Sequence, residues 1–240
     1  MIVSTVSDFV LVVYGSRAKR ASSADFLIQS GLATHIKFHG KRFAWFVSDV
    51  TKKDWEWLLN TMCYGQLFPK ASDTEKESLK RLGQRWKVRF IVSSFLYTKL
   101  ISTQQYEQEG KWVYEQHPFW CTGYTFWELH SEAPDLFLHL SRSDLVYFKG
   151  DLNHRKLTYD CAAPASTPFD QAIGSMASAS GAPRIWCLRT IKSDVVVGLG
   201  DEGDVLADKL DKEEAGWKIS GKYAVVLLSE GRPGEPVRFA

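Results

Sequence analysis

Three short stretches bring acidic, amide and cationic side chains to points where the chain leaves an apolar run. "AWFVSD" delivers Asp49, "YFKGD" delivers Asp151, and "CLRTIK" delivers Arg189, Thr190 and Lys192. In parallel α/β sheets, ligands bind beyond the carboxyl ends of the strands, where loops gather polar groups. Carboxylate and amide oxygens suit a hard divalent cation such as Mg²⁺ or Mn²⁺. Lysine and arginine beside them suit a phosphate. Together these groups describe metal-assisted phosphoryl chemistry. A single acid at a strand end is often no more than a helix N-cap; three such ends in one chain favour a site. The densest stretch is "DLVYFKGDLNHRKL", where a glycine separates the apolar run from an acid, an amide and several cations.

Other patterns carry less. "GLGDEG" (Gly198, Gly200, Gly203) has the spacing of a dinucleotide-binding turn, but Asp201 and Glu202 would face the pyrophosphate, so a surface turn is expected. His35 and His39 are four apart, yet they flank Ile36 and Phe38 in an alternating segment. Both are expected on a solvated strand face rather than on a metal.

The elements that must position these groups alternate between strand and helix. "DFVLVVYGS" has the pattern of a strand closed by a turn. "SSADFLIQSGLA" predicts a helix capped by Ser22 or Ser23 and stopped by Gly31. "HIKFHG" alternates as a half-buried strand does, and "RFAWFVSDV" is apolar enough for a central one. "TKKDWEWLLNTM" predicts an amphipathic helix capped by Thr51, and "SDTEKESLKRLGQRWK" a more polar one. "SDLVYFKG", "RIWCLRTI", "DVVVGLG" and "KYAVVLLS" are four further strand candidates, joined by Pro, Ala, Ser and Gly-rich loops, notably 161–183. The pattern predicts one α/β domain over 1–240 with a largely parallel sheet covered on both faces. "VRFIVSSFLYTKLIST", residues 88–103, is β-branched and aromatic yet follows a helix with no turn between. It is either an extra strand or an insert foreign to the fold.

Bulk properties exclude several classes. The 240 residues are 45% hydrophobic and 13% aromatic, enough for a substantial core. Net charge is +2 without a basic stripe, which argues against nucleic acid as partner. No apolar run approaches the roughly 18 residues of a membrane span, and no basic segment precedes the apolar residues 1–14 as in a signal peptide. Cys63, Cys121, Cys161 and Cys187 are widely spaced, which predicts buried free thiols in a reducing compartment. The expected location is the cytoplasm, with the nucleus as a second possibility.

With "WFVSDVTKKDWEWLL", "GKWVYEQHPFW", "LVYFKGDLNHRKL" and "CLRTIK" in view, the sequence from about Ser23 onward resembles the damage-control phosphatase family, also called the acidic residue methyltransferase 1-like family. The match is to its subfamily III, marked by an Arg-Thr-x-Lys motif, here Arg189-Thr190-Ile191-Lys192. The resemblance implies a three-layer α/β/α core and Mn²⁺- or Mg²⁺-dependent hydrolysis of sugar phosphates of the fructose 1-phosphate and fructose 6-phosphate type; the chain is expected to be a monomer. It makes Asp49 the catalytic metal ligand. Asp151, Leu152, Asn153, His154 and Arg155 become a substrate-binding loop and Lys192 the phosphate-holding lysine; at His154 the family more usually has tyrosine. On this view Asp151 and Asn153 bind sugar hydroxyls while the neighbouring cations balance the phosphate.

The sequence also departs from that pattern. The family's helical N-terminal region is missing, and residues 1–22 are divergent. An Asp-Asn metal pair, expected about fourteen residues before Asp25, falls on Leu11 and Val12, with Asp8 the nearest carboxylate. A hard cation held by Asp49 alone is held weakly, so impaired hydrolysis is expected. The alternatives are S-adenosylmethionine-dependent carboxyl methyl transfer and a non-catalytic phosphometabolite-binding remnant.

Overall fold

The computed structural model describes residues 6–13, 17–45, 49–92 and 112–232. The chain divides into two compact units, one formed by Met1–Phe9 and Gly15–Cys121, the other by Val10–Tyr14 and Thr122–Ala240. Strand β1 (Val6–Val13) contributes to both, and Leu11 and Val12 lie within it.

In the first unit, helix α1 (Arg17–Gln29) begins several residues before the expected serine cap. It stops as predicted at Gly31, whose φ of 70° lets Leu32 N–H reach back to Leu27 O (2.9 Å) and Gly31 N–H to Ile28 O (3.2 Å). Strand β2 (Ala33–Gly40) follows, with Ile36 and Phe38 buried and Thr34 exposed as its alternation predicts, but with His39 and Gly40 buried as well. Helix α2 (Lys52–Cys63) starts at Thr51, whose backbone N–H and hydroxyl both donate to Asp54 Oδ2 at 2.9 Å. Helix α3 (Asp73–Arg89) starts from a reciprocal pair, Ser72 N–H to Glu75 Oε2 (2.7 Å) and Glu75 N–H to Ser72 Oγ (3.4 Å). The Ser72 hydroxyl, which also donates to Glu75 Oε2 (2.7 Å), and then the Ser72 N–H hold the Glu75 carboxyl below its usual range. Gly83 brings α3 onto the last turn of α2, against Met62 and Cys63.

Strand β3 (Phe90–Val92) pairs in parallel with β4 (Trp112–Gln116), which pairs in parallel with β2. The start of the 88–103 segment is thus the end of a helix and a short extra strand, and 93–103 lies outside the described residues. Phe38 contacts Trp55 and Trp112 (ring centroids 4.8 and 5.4 Å), and Trp86 meets Trp112 at 5.7 Å. This aromatic layer clamps α2 and α3 to the sheet, since buried rings combine large apolar area with tilted packing. Asp25 on α1 accepts Arg85 from α3 through both oxygens (3.2 and 2.6 Å).

In the second unit, β5 (Leu145–Lys149) runs parallel to β6 (Ile185–Thr190), and β7 (Ala224–Ser229) runs antiparallel to β6. Val146, Phe148, Ile185 and Cys187 are fully buried between the covering elements. Burial pushes the Cys187 thiol up to about 12. The expectation of four buried thiols is corrected: Cys161 is exposed, and Cys63 and Cys121 are half-buried, all four being free.

Three other expectations are corrected. Arg42 to Trp45 form an exposed bend rather than the start of a central strand, with Phe43 57% exposed. "DVVVGLG" is irregular although Val195, Val196 and Val197 are buried. "DLNHRKL" is a short helix, Asp151–Leu157, not an open loop. "GLGDEG" is the turn expected of it and leads into the helix Gly203–Glu213. The fold is α/β with mostly parallel strand pairs, as the alternating pattern predicts. Among the described residues, no helix is long and apolar enough to cross a membrane.

Candidate functional site

The second unit joins the ends of its two parallel strands through one carboxylate. β5 hands over to the helix Asp151–Leu157 at Gly150, whose φ of 112° and ψ of 161° suit only glycine. Its N–H donates to Leu188 O on β6 (2.9 Å), which holds the turn beside that strand. Arg189, on β6, is 1% exposed. A guanidinium survives such burial only when its donors are engaged. Here Nε donates to Asp151 Oδ1 (2.7 Å), one terminal nitrogen to Ser193 O and Oγ (2.9 and 2.6 Å), and the other to Val195 O. The same Asp151 Oδ1 accepts the Lys192 N–H (3.2 Å) and lies 3.4 Å from the Ser193 hydroxyl. The turn from Thr190 to Ser193 is tied down by its backbone, with Thr190 and Lys192 exposed.

The predicted substrate segment is more inward than expected. Leu152 is half-buried, while Asn153 and His154 are fully buried. Asn153 Nδ2 donates to Lys149 O (3.1 Å), a bond within the chain where a sugar hydroxyl was expected. Arg155 makes a two-pronged pair with Asp160 (2.7 and 2.6 Å), which raises its guanidinium further. Lys156 is buried and donates to Thr122 O at 2.8 Å. Arg155 and Lys156 are thus engaged within the chain, by Asp160 and by Thr122 O, while Lys192 is exposed.

His154 stacks on Phe169 (6.5 Å, 21°), and neither ring nitrogen has a hydrogen-bond partner among the described residues. Burial first, and the Arg189 charge second, lower its pKa to about 3. The unfolded imidazole takes a proton below about 6.5, whereas the folded one resists it down to about 3. Stability from this group is therefore complete above pH 6.5 and is lost as pH falls. Between pH 7 and pH 5 the loss is about 2 kcal/mol. His154→Phe is expected to remove that part of the slope, measured by urea denaturation at several pH values. An unchanged slope would show that the imidazole is hydrated.

In the first unit Asp49 is 3% exposed and its Oδ2 accepts the Trp45 N–H (2.8 Å). Lys41 Nζ lies 3.1 Å from the same oxygen, and 4.0 Å from the Trp45 ring centroid. Burial lowers the Lys41 pKa, opposed by its bond to Asp49. Lys41 N–H donates to Val50 O (3.0 Å) and Gln116 Nε2 to Lys41 O (2.7 Å). The carboxylate is thus already neutralised by an ammonium, and the pair alone is a poor match for a hard divalent ion, which prefers several anionic oxygens. No sequence signal marks Lys41; a lysine after a strand is commonplace. The solvated placement of His39 is also corrected. It is buried, Nδ1 accepts the Trp120 indole N–H (3.3 Å), and Nε2 lies 3.6 Å from Glu115 Oε2. Because an indole only donates, the imidazole proton sits on Nε2, facing the carboxylate. His35 remains half-buried, with Nδ1 3.1 Å from Thr34 Oγ1.

Mostly parallel strand pairs joined by helices define an α/β protein, a class in which ligands bind beyond the carboxyl ends of the strands. Residues 23–206 match the family described as the damage-control phosphatase ARMT1-like domain, and the chain belongs to that family. The chain is 41% identical over 207 residues to damage-control phosphatase ARMT1 of Danio rerio, covering 86% of this chain and 39% of that protein. The Xenopus laevis protein of the same name is 34% identical over 224 residues (93% and 41%), and the Homo sapiens one 33% over 204 residues (84% and 38%). The chain spans about two-fifths of the length of these curated relatives.

Proposed function

We propose that this chain handles phosphorylated small metabolites as a phosphatase of the sugar-phosphate type, with fructose 1-phosphate and fructose 6-phosphate as representative substrates. The observation that carries this reading is the exposed Lys192 on a turn braced from behind by Asp151 and Arg189. A rigid backbone presenting a mobile ammonium suits a phosphate, whose charge it offsets without a fixed geometry. The helix Asp151–Leu157 then borders the metabolite. The Mn²⁺ or Mg²⁺ ion that the resemblance implies would need more than Asp49, which is paired with Lys41.

A second reading has specific support. Leu11 and Val12 occupy β1 where an Asp-Asn pair is expected, and Asp49 is paired with a lysine. Both favour a non-catalytic remnant that binds phosphometabolites. Phosphate release from a sugar-phosphate panel, with and without Mn²⁺, separates the two: strong Mn²⁺-dependent release establishes the enzyme, and background release beside measurable binding establishes the remnant. In either case Lys192→Ala is expected to weaken fructose 1-phosphate by about 1.5–3 kcal/mol, roughly ten- to a hundredfold, and to leave fructose unaffected. Equal loss for both ligands in calorimetry would assign Lys192 to the fold.

A further inference from the structure

We propose that Asp151 is a positioning residue for Lys192, with Arg189 and Ser193 as the other members of the device. This rests on Lys192 being the phosphate-binding lysine. Three donors from β6 and the turn after it lie around a single oxygen, Asp151 Oδ1: Arg189 Nε at 2.7 Å, Lys192 N–H at 3.2 Å and Ser193 Oγ at 3.4 Å. What the carboxylate holds of Lys192 is its amide, and the ammonium is left to reach outward. Arg189 closes the loop from the other side by donating to Ser193 O, Ser193 Oγ and Val195 O. Every residue from the strand end to Val195 is thereby referred, directly or through one neighbour, to the Asp151–Arg189 pair.

The chemistry of the pair argues for the same role. Arg189 is buried, so its charge requires Asp151 as counter-charge whether or not a ligand is present. All three of these bonds fall on Oδ1, which commits that oxygen to the strand end and the turn. Gly150 adds the connection to β5, because its N–H bond to Leu188 O keeps the start of the Asp151 helix in step with β6. A shift of Asp151 is transmitted to the base of Lys192 and from there to the position of the ammonium.

A double-mutant cycle on the full chain tests this, with inorganic phosphate and fructose as separate calorimetric probes. Asp151→Asn is expected to weaken inorganic phosphate about tenfold in the native background and by no more than about twofold when Lys192 is already alanine. Equal losses in both backgrounds, or a selective loss of fructose, would overturn the proposal and make Asp151 a ligand. Amide hydrogen exchange provides the ligand-free readout: in Asp151→Asn, exchange at Lys192 and Ser193 is expected to accelerate about tenfold more than exchange at the β6 amides. Unchanged exchange at Lys192 would overturn the device itself. A native chain that binds no inorganic phosphate, with faster exchange in the variant, would instead overturn the reading of Lys192.

Discussion

Replacing Arg189 with leucine is expected to destabilise the protein by about 3–5 kcal/mol, the usual cost of removing one partner from a buried ion pair. The guanidinium is fully buried, and its loss strands the Asp151 carboxylate and leaves Ser193 O and Val195 O without their donor. Leucine fills part of the space but answers none of those acceptors. Arg189→Lys keeps the charge and loses the fork, so it should fall between leucine and the parent. Guanidinium chloride denaturation measures the differences. A leucine variant within 1 kcal/mol of the parent would mean that water reaches this pocket and hydrates what the arginine leaves behind.

Lys41→Met is the second large effect. Its ammonium and the Asp49 carboxylate are both buried, 3.1 Å apart, so removing the cation alone leaves an uncompensated anion, at a cost again of about 3–5 kcal/mol. The double variant Lys41→Met, Asp49→Leu removes both charges and should recover most of the loss, because the expense lies in the orphaned charge rather than in the missing contact. Thermal melts of the parent, the single and the double variant provide the comparison. A double variant as unstable as the single one would mean that the Trp45 N–H to Asp49 bond (2.8 Å) holds the segment, not the ion pair.

What the sequence discloses follows the range of the forces involved. Thr51, Ser72 and Gly31 act within a few residues of themselves, so the helix ends they set can be read directly, and β2 betrays itself by its alternation. Arg42 to Trp45 mislead because apolar side chains are no guarantee of burial; Phe43 and Trp45 are both exposed. Val195 to Val197 mislead in the opposite sense, since buried irregular chain has the composition of a strand. The strand-end residues Asp151 and Lys192 stand out by type and by family resemblance, but neither discloses that Asp151 is held to Arg189, 38 residues further on. Nothing local couples Lys41 to Asp49, or turns His39 toward Trp120 and Glu115. Those pairings are properties of packing.

Gly83 shows how a helix can be weakened for the sake of its neighbour. Glycine inside a helix costs about 1 kcal/mol relative to alanine, and a survey of α3 by intrinsic propensity would mark position 83 as the obvious place to improve. A Cβ there would stand 2.7 Å from Met62 Cβ and 2.8 Å from the Cys63 nitrogen. Because that nitrogen belongs to the backbone, α2 has no side-chain rotation with which to yield. Alanine would therefore act as a wedge between the two helices, and the gain in one segment's own stability would be lost at its junction with the next.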